Sequence, residues 1–310
     1  MSQVFTVLGP ISPESLGITA IHEHLQFGMP GWEHASQEYF NRAIAFEKIK
    51  NALLDFQRRG GQTIVDCTNW SMGRDIEFYQ TLSRSTGVNI IACTGFREER
   101  VIPGNLVELN EDVDFIAGLF IRELTEGMVT GFMRKTPVRA GIIKVGNSED
   151  RITALEESFY RAAARAAQQT GAAITTHGSA MALRQLELLV GEGLDASRII
   201  VGHCDESPDI ERDKEMARKG AYVAYDRAAY DSTRRDKRRV ELVKAMVDAG
   251  FATQVLISCD AIGYGHLYPE PGRSFSYLLS GLVPLLRHAG LSEETVSTIL
   301  AENPKRVLAF

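Results

Sequence analysis

The hydrophobic pattern of the chain is a series of short apolar runs, each of strand length and each with a polar residue at or near its end. The runs are rich in β-branched residues, which is typical of buried β-strands. They predict eight strands, at 18–24, 63–68, 88–94, 140–146, 172–178, 199–204, 221–226 and 255–260.

Amphipathic segments between these runs predict helices. The segments cover 47–59, 115–124, 154–170, 182–192 and 235–249, and two further helical starts follow at 292 and 303. Eight buried strands that alternate with helices over about 250 residues predict the α/β class and one parallel (β/α)8 TIM barrel. A doubly wound open sheet is the alternative, but the strand count and the lack of a Gly-X-Gly-X-X-Gly turn favour the barrel. No Pro/Gly/Ser-rich linker interrupts the pattern, so we expect residues 1–310 to form a single domain.

The composition is that of an ordinary globular protein, with 44% hydrophobic and 24% charged residues among 310. The net charge of −6, without an acidic or basic tail, does not favour nucleic acid or an anionic membrane as a partner. No apolar run approaches the roughly 18 residues of a membrane-spanning helix, and the N-terminus lacks the features of a secretion signal. Four cysteines are too few for a disulfide framework, so we expect a cytoplasmic protein.

Candidate chemistry begins with Ile-His-Glu-His-Leu at 21–25, where the first predicted strand ends. Residues two apart on a strand point to one face, so His22 and His24 can supply two ligands to one divalent metal. An isolated His-X-His is more often incidental than functional. The other strands change that interpretation, because the carboxyl ends of barrel strands carry the active site. Polar residues suited to metal binding end strands four, five, six and eight: Lys144, His177, His203 and Asp260.

Two adjacent cations need a negatively charged bridge, and Lys144 is the candidate for it. Burial on the apolar Ile-Ile-Lys-Val strand disfavours the ammonium form of this lysine. A neutral amine can add carbon dioxide to give a carbamate, whose two oxygens can bridge two metals. The alternative for Lys144 taken alone is a snorkelling or ion-paired lysine.

As a set, these residues resemble the phosphotriesterase family of the amidohydrolase superfamily, and more closely its lactonase branch. The matching segments run along nearly the full chain, at 7–11, 16–19, 20–25, 65–68, 73–75, 143–146, 176–178, 201–205 and 303–306. The resemblance implies a more buried metal on His22, His24 and Asp260, a more exposed one on His177 and His203, and N6-carboxylated Lys144, formed with CO2, as the bridge. It also suggests a homodimer. Zinc is the default for a histidine-rich site, with manganese, cobalt and iron as alternatives.

This ligand set indicates a hydrolase. Water between two cations loses its proton readily, and the resulting hydroxide can attack a carbonyl or phosphoryl centre. We therefore expect catalytic roles for Lys144 as the bridge, for Asp260 as the acceptor of the nucleophile's proton, and for His203 as a candidate to pass that proton on. A role for Asp260 as metal ligand alone stays open.

The substrate is expected to be a small molecule, a lactone or another carboxylic ester. Candidate substrate contacts follow strands two, seven and eight: Trp70, Arg227, Tyr264, His266 and Arg273. Arg227 could instead pair with its neighbour Asp226. The third strand continues as Gly95-Phe96-Arg97, without the tyrosine usual in quorum-quenching lactonases, which argues against acyl-homoserine lactones. A phosphotriester substrate, an N-acyl amide substrate and a non-catalytic binding barrel are the alternatives.

Overall fold

The computed structural model of the chain describes residues 2–28, 41–69, 72–102, 112–130, 134–148, 150–230, 233–265 and 273–310. Its strands are β1 (Val4–Thr6), β2 (Gly9–Ile11), β3 (Ile18–Phe27), β4 (Gly61–Asp66), β5 (Asn89–Thr94), β6 (Val129–Thr130), β7 (Arg134–Lys135), β8 (Ile142–Lys144), β9 (Ile174–Thr175), β10 (Ile199–Val201), β11 (Tyr222–Tyr225), β12 (Val255–Ile257) and β13 (Ile262–Gly265). Its α-helices are α1 (Arg42–Arg58), α2 (Ile76–Thr86), α3 (Val113–Thr125), α4 (Ala154–Thr170), α5 (Ala182–Gly191), α6 (Ile210–Arg218), α7 (Thr233–Asp248), α8 (Val283–His288), α9 (Glu293–Ser297) and α10 (Asn303–Leu308).

The central sheet is a parallel barrel. Its hydrogen-bonded neighbours follow the order β12-β11-β10-β9-β8-β5-β4-β3-β13. Backbone bonds from Asp260 N–H to His22 O (3.0 Å) and from His24 N–H to Ala261 O (2.9 Å) join the first barrel strand to the segment after the last one. The sheet therefore closes on itself, with β13 prolonging the eighth strand position beside β3. The predicted (β/α)8 barrel is confirmed, and the open-sheet alternative is wrong.

The core has two layers. Inside the barrel, apolar side chains such as Ile21, Val65, Ile91 and Leu256 pack together, and the same cluster includes residues of β1 and α10. The larger layer lies between the strands and the surrounding helices, where the alanine-rich face of α4 is buried. Because one end of the lumen is filled with apolar side chains, the polar strand ends collect at the other.

Local sequence signals explain where the helices begin and end. Helix α4 begins with a capping box, in which the Thr153 hydroxyl accepts from Glu156 N–H and the Glu156 carboxylate accepts from Thr153 N–H. It ends at Gly171, whose left-handed backbone stops the helix. Ser292 caps α9 through Thr295 N–H, as its position in the sequence predicts.

The structure also contains elements that the sequence pattern did not predict. These are the antiparallel hairpins β1–β2 and β6–β7, the strand β13, and the helices α2, α6 and α8. All four cysteines are buried and unpaired. No helix in the described ranges is long and apolar enough to cross a membrane.

Candidate metal centre

The predicted ligands gather at the carboxyl end of the barrel. His22 and His24 lie on β3 and Lys144 ends β8, while the remaining three follow β9, β10 and β12: His177, His203 and Asp260. Five of the six are buried, and His177 is partly exposed. Among the six ligands, His177 is therefore the one nearest to solvent.

One group of ligands lies deep in the barrel. Asp260 Oδ1 is 3.1 Å from His24 Nε2 and 3.7 Å from His22 Nε2. This oxygen is buried, yet it accepts no hydrogen bond from any described residue. Two imidazole nitrogens and an unpaired carboxylate oxygen that converge in this way fit a divalent cation.

Polar contacts behind the imidazoles favour the tautomer that a metal needs. The Thr68 hydroxyl donates to Gln26 O (3.0 Å), so it accepts from His24 Nδ1 at 2.7 Å. His22 Nδ1 makes an oblique contact with Asp226 Oδ2 at 3.0 Å. Both contacts favour the tautomer with the proton on Nδ1, which leaves the Nε2 lone pair of each ring on the side of Asp260.

The second group lies nearer to solvent. His177 Nδ1 and His203 Nε2 face each other at 2.8 Å, and His203 Nδ1 donates to Asp226 Oδ1 at 2.7 Å. Burial would raise the pKa of Asp226, but the adjacent His203 and His22 hold it well below its usual range. Asp226 was not among the predicted site residues, although it contacts one imidazole of each group.

Two of the ligands adopt a backbone conformation that is uncommon outside glycine. His203 has φ 59° and Asp260 has φ 53°, both in the left-handed region. The buried Glu23 supports Asp260 from behind, because its carboxylate accepts Cys259 N–H (2.9 Å), Ala261 N–H (2.6 Å) and the Ser258 hydroxyl (2.7 Å). Glu23 thus holds the residues on both sides of the ligand, a role that the sequence did not reveal.

The buried histidines are in the neutral form that suits metal binding at neutral pH. Burial lowers the pKa of His22 to about 3, and it also lowers the pKa of His24 and His177. Burial likewise lowers the pKa of Lys144. The Lys144 Nζ lies 2.8 Å from Thr176 O and 3.2 Å from His22 Nε2, and no described carboxylate pairs with it. The ion-paired alternative for this lysine therefore finds no support among the described residues.

Of the predicted substrate contacts, Arg227 binds a predicted metal-ligand residue, and the others either have partners elsewhere or lie outside the described residues. The Arg227 guanidinium binds Asp260 Oδ2 and Glu206 (2.9 Å), so the alternative in which it pairs with Asp226 is wrong. Arg273 binds Asp236 Oδ2 at 2.6 Å, and the Lys48 ammonium lies 5.4 Å from the centre of the Tyr264 ring. Trp70 and His266 lie outside the described residues.

A closed (β/α)8 barrel with imidazoles and carboxylates gathered at its carboxyl end defines the class of metal-dependent barrel hydrolases. Comparison with known proteins gives the family. The model of the phosphotriesterase family matches residues 2–308. The chain belongs to the phosphotriesterase family, and it is therefore a metal-dependent hydrolase.

Individual relatives match over nearly their full length. A phosphotriesterase homology protein of Escherichia coli (strain K12) is 34% identical over 299 residues, which cover 96% of this chain and 99% of the relative. An aryldialkylphosphatase of Saccharolobus solfataricus is 32% identical over 308 residues, which cover 96% of each. One solved structure comes from the molecular engineering of organophosphate hydrolysis activity from a weak promiscuous lactonase template. Its sequence is 30% identical to this chain, the TM-score is 0.88, and the match covers 99% of each chain.

Proposed function

We propose that this protein opens a lactone or cleaves another carboxylic ester with the help of two divalent cations. The observation that carries the proposal is the buried Asp260 Oδ1, which accepts no hydrogen bond from the described residues and faces two imidazole nitrogens. A buried carboxylate oxygen without a donor is costly, and a cation at this point removes that cost.

The ligands divide between two sites. His22, His24 and Asp260 would hold the deep cation, and His177 and His203 the exposed one. Lys144 lies against His22 with a depressed pKa, which supports a carbamate that bridges the sites. Zinc is the metal we expect from the number of imidazoles.

Two divalent cations would supply an acidified water and polarise the oxygen of the electrophile. The chain's own groups would handle the proton. Burial opposes the charge of Asp260, but Arg227 holds the pKa of this carboxyl well below its usual range, so the group is in the ionised form that the proposed proton acceptor needs. Both ring nitrogens of His203 already have partners, Asp226 and His177. A relay through His203 stays a prediction.

Lactones and esters are the first choice of substrate because the structural relative derives from a lactonase template. The aryldialkylphosphatase relative favours a phosphotriester as the second candidate. The expected homodimer stays a prediction that sedimentation would test.

The central experiment measures hydrolysis of lactones, esters and phosphotriesters by the metal-reconstituted protein. We expect turnover of at least one lactone, and loss of that turnover in Asp260→Asn while bound metal is retained. Unchanged turnover in Asp260→Asn would rule out its role as proton acceptor.

Lys144 is tested by metal content. Lys144→Ala should lose the two-metal state and regain it with added short carboxylic acids. Two metals bound to Lys144→Ala without such acids would rule out the carbamate bridge.

A further inference from the structure

We propose that Arg97 binds an anionic group of the substrate, a carboxylate or a phosphate, when the exposed metal site is filled. The inference rests on the metal-dependent hydrolase function proposed above and adds the charge of the substrate to it. It is carried by the contacts of Arg97 at the mouth of the barrel.

The end of β5 directs Arg97 into the site. Gly95 has φ 112°, and a Cβ atom there would overlap the Lys144 carbonyl oxygen, so the chain turns tightly beside β8. Phe96 then enters the core, where its ring lies 5.3 Å from those of Phe120 and Phe159. The next side chain, Arg97, points the other way and reaches His177, with Nη2 2.7 Å from His177 Nε2.

The contacts around His177 form one consistent series of donors and acceptors. His203 Nδ1–H donates to Asp226, so His203 Nε2 carries a lone pair and accepts from His177 Nδ1–H. His177 Nε2 therefore carries a lone pair in this structure and accepts from Arg97. Each proton in this series has an acceptor.

A cation on the exposed site would change that series. The space between His177 Nδ1 and His203 Nε2 can hold a proton or a cation, but not both. With the Nδ1 lone pair used as a ligand, neutral His177 carries its proton on Nε2, so that nitrogen and Arg97 Nη2 are both donors. Arg97 then loses its acceptor on His177.

The carboxylate of Glu98, the next residue along the chain, forms a long ion pair with Arg97 but does not replace that acceptor. Glu98 Oε1 lies 3.5 Å from Arg97 Nε, which is buried and donates no hydrogen bond to a described residue. Both Glu98 oxygens are instead bound by Arg100, at 2.8 and 3.3 Å. A largely buried guanidinium without an acceptor is costly, and it pairs in a fork with carboxylate or phosphate oxygens.

The test compares substrates that differ only in charge. The kcat/KM values are measured for γ-butyrolactone, its γ-carboxylate and its phosphorylated γ-hydroxymethyl derivative, using the metal-loaded enzyme. In Arg97→Met, the ratio of kcat/KM for a charged lactone to that for the neutral one should fall about 10- to 100-fold, mainly through KM. Arg97→Lys keeps the charge without the planar fork and should recover part of the ratio.

Arg58→Met is the control, since Arg58 also pairs with a carboxylate, that of Asp55, but is 68% exposed at its side chain and contacts neither Arg97 nor Glu98. It should leave the ratio of kcat/KM values within about two-fold of the original. A fall in the ratio as large as that of Arg97→Met would show a general charge effect and overturn the proposal.

A binding measurement separates this proposal from the proposed function. Calorimetry with tetrahydrofuran-2-carboxylate and tetrahydrofurfuryl phosphate, which contain no ester to hydrolyse at the ring, should show weaker binding to metal-loaded Arg97→Met than to the original protein. Equal binding by both would mean that the anion contacts the metals alone and would overturn the role of Arg97. Absence of any lactone turnover, with binding still dependent on Arg97, would refute the lactonase function and leave the anion site standing.

Discussion

Asp226 offers the sharpest test of how the metal centre is held, and the test is Asp226→Asn. Asp226 Oδ1 accepts both His203 N–H (2.9 Å) and His203 Nδ1–H (2.7 Å), while Oδ2 faces His22 Nδ1 at 3.0 Å. In the asparagine variant, the side-chain oxygen should take the position of Oδ1, where it accepts both His203 donors, because an NH2 group at that position would repel them. The amide NH2 then faces His22 Nδ1 and favours the tautomer with the proton on Nε2, the atom meant for the deep cation.

The loss of metal affinity should therefore occur mainly at the deep site. Removing a carboxylate that orients a ligating histidine costs about 10- to 100-fold in metal affinity, or about 1.4–2.7 kcal/mol. Chelator competition with stepwise metal analysis would give the two dissociation constants separately. We expect the constant for the deep cation to rise by that factor and that for the exposed cation to change less, because His203 keeps its acceptor.

Asp213→Asn is the matched control. Asp213 is also a fully buried carboxylate, bound by Arg212 (2.7 Å) and the Tyr225 hydroxyl (2.8 Å), but it contacts no predicted ligand. It should cost stability without changing metal affinity. If folded Asp226→Asn binds both cations as tightly as the original protein, the reasoning on tautomers is wrong.

Three further predictions concern the barrel around the site. Glu23→Gln turns an NH2 towards a backbone N–H, and it should lower the free energy of unfolding by about 1–3 kcal/mol in denaturant titrations; an unchanged midpoint would contradict the support role. In metal-free protein, a histidine of the unfolded chain takes up a proton at about pH 6.5, but native His22 takes one up only at about 3. The free energy of unfolding of the original protein, relative to that of His22→Asn, should therefore fall as the pH drops through this interval. Unfolding titrations at several pH values would measure it, and a difference that does not depend on pH would contradict the lowered pKa. Gly95→Ala should lower the free energy of unfolding by about 2–5 kcal/mol, because backbone strain adds to the overlap of the new Cβ with the Lys144 carbonyl oxygen. Gly250→Ala is the control, since Gly250 has φ 87° but faces open space, and it should cost about 1–2 kcal/mol in the same titration. Equal costs would contradict the overlap at Gly95.

The fold could be predicted because the barrel strands are buried on both sides, so their apolar runs are unbroken. The ligands could be predicted because a parallel barrel brings all strand ends to one mouth. Helices α2 and α6 were missed although Asp75 and Asp209 cap them, since their apolar faces are short. Arg239 lies in a charged run, and such a run is typical of the solvent-exposed start of a helix. Its side chain is nevertheless only 2% exposed and binds Asp205 at 2.6 Å.

The supporting carboxylates were missed for a different reason. In the sequence, the chain neighbour of Asp226 with opposite charge is Arg227, yet consecutive strand residues point to opposite faces and rarely pair. The partners of Asp226 are imidazoles of β3 and of the segment after β10, and they become neighbours only when the barrel closes. Glu23 likewise acts across the closure, on residues more than two hundred positions away along the chain.

The two supporting carboxylates stand behind the two ligands with left-handed backbone. His203 at φ 59° has its N–H bound by Asp226, and Asp260 at φ 53° lies between the two N–H groups bound by Glu23. Such a conformation costs a non-glycine residue about 1–2 kcal/mol, which one or two buried hydrogen bonds to a carboxylate can offset. The protein itself therefore positions these ligands, and cations would bind to a site that is already formed. Lys144 differs, because no described carboxylate supports it and its own chemistry would supply the missing negative charge.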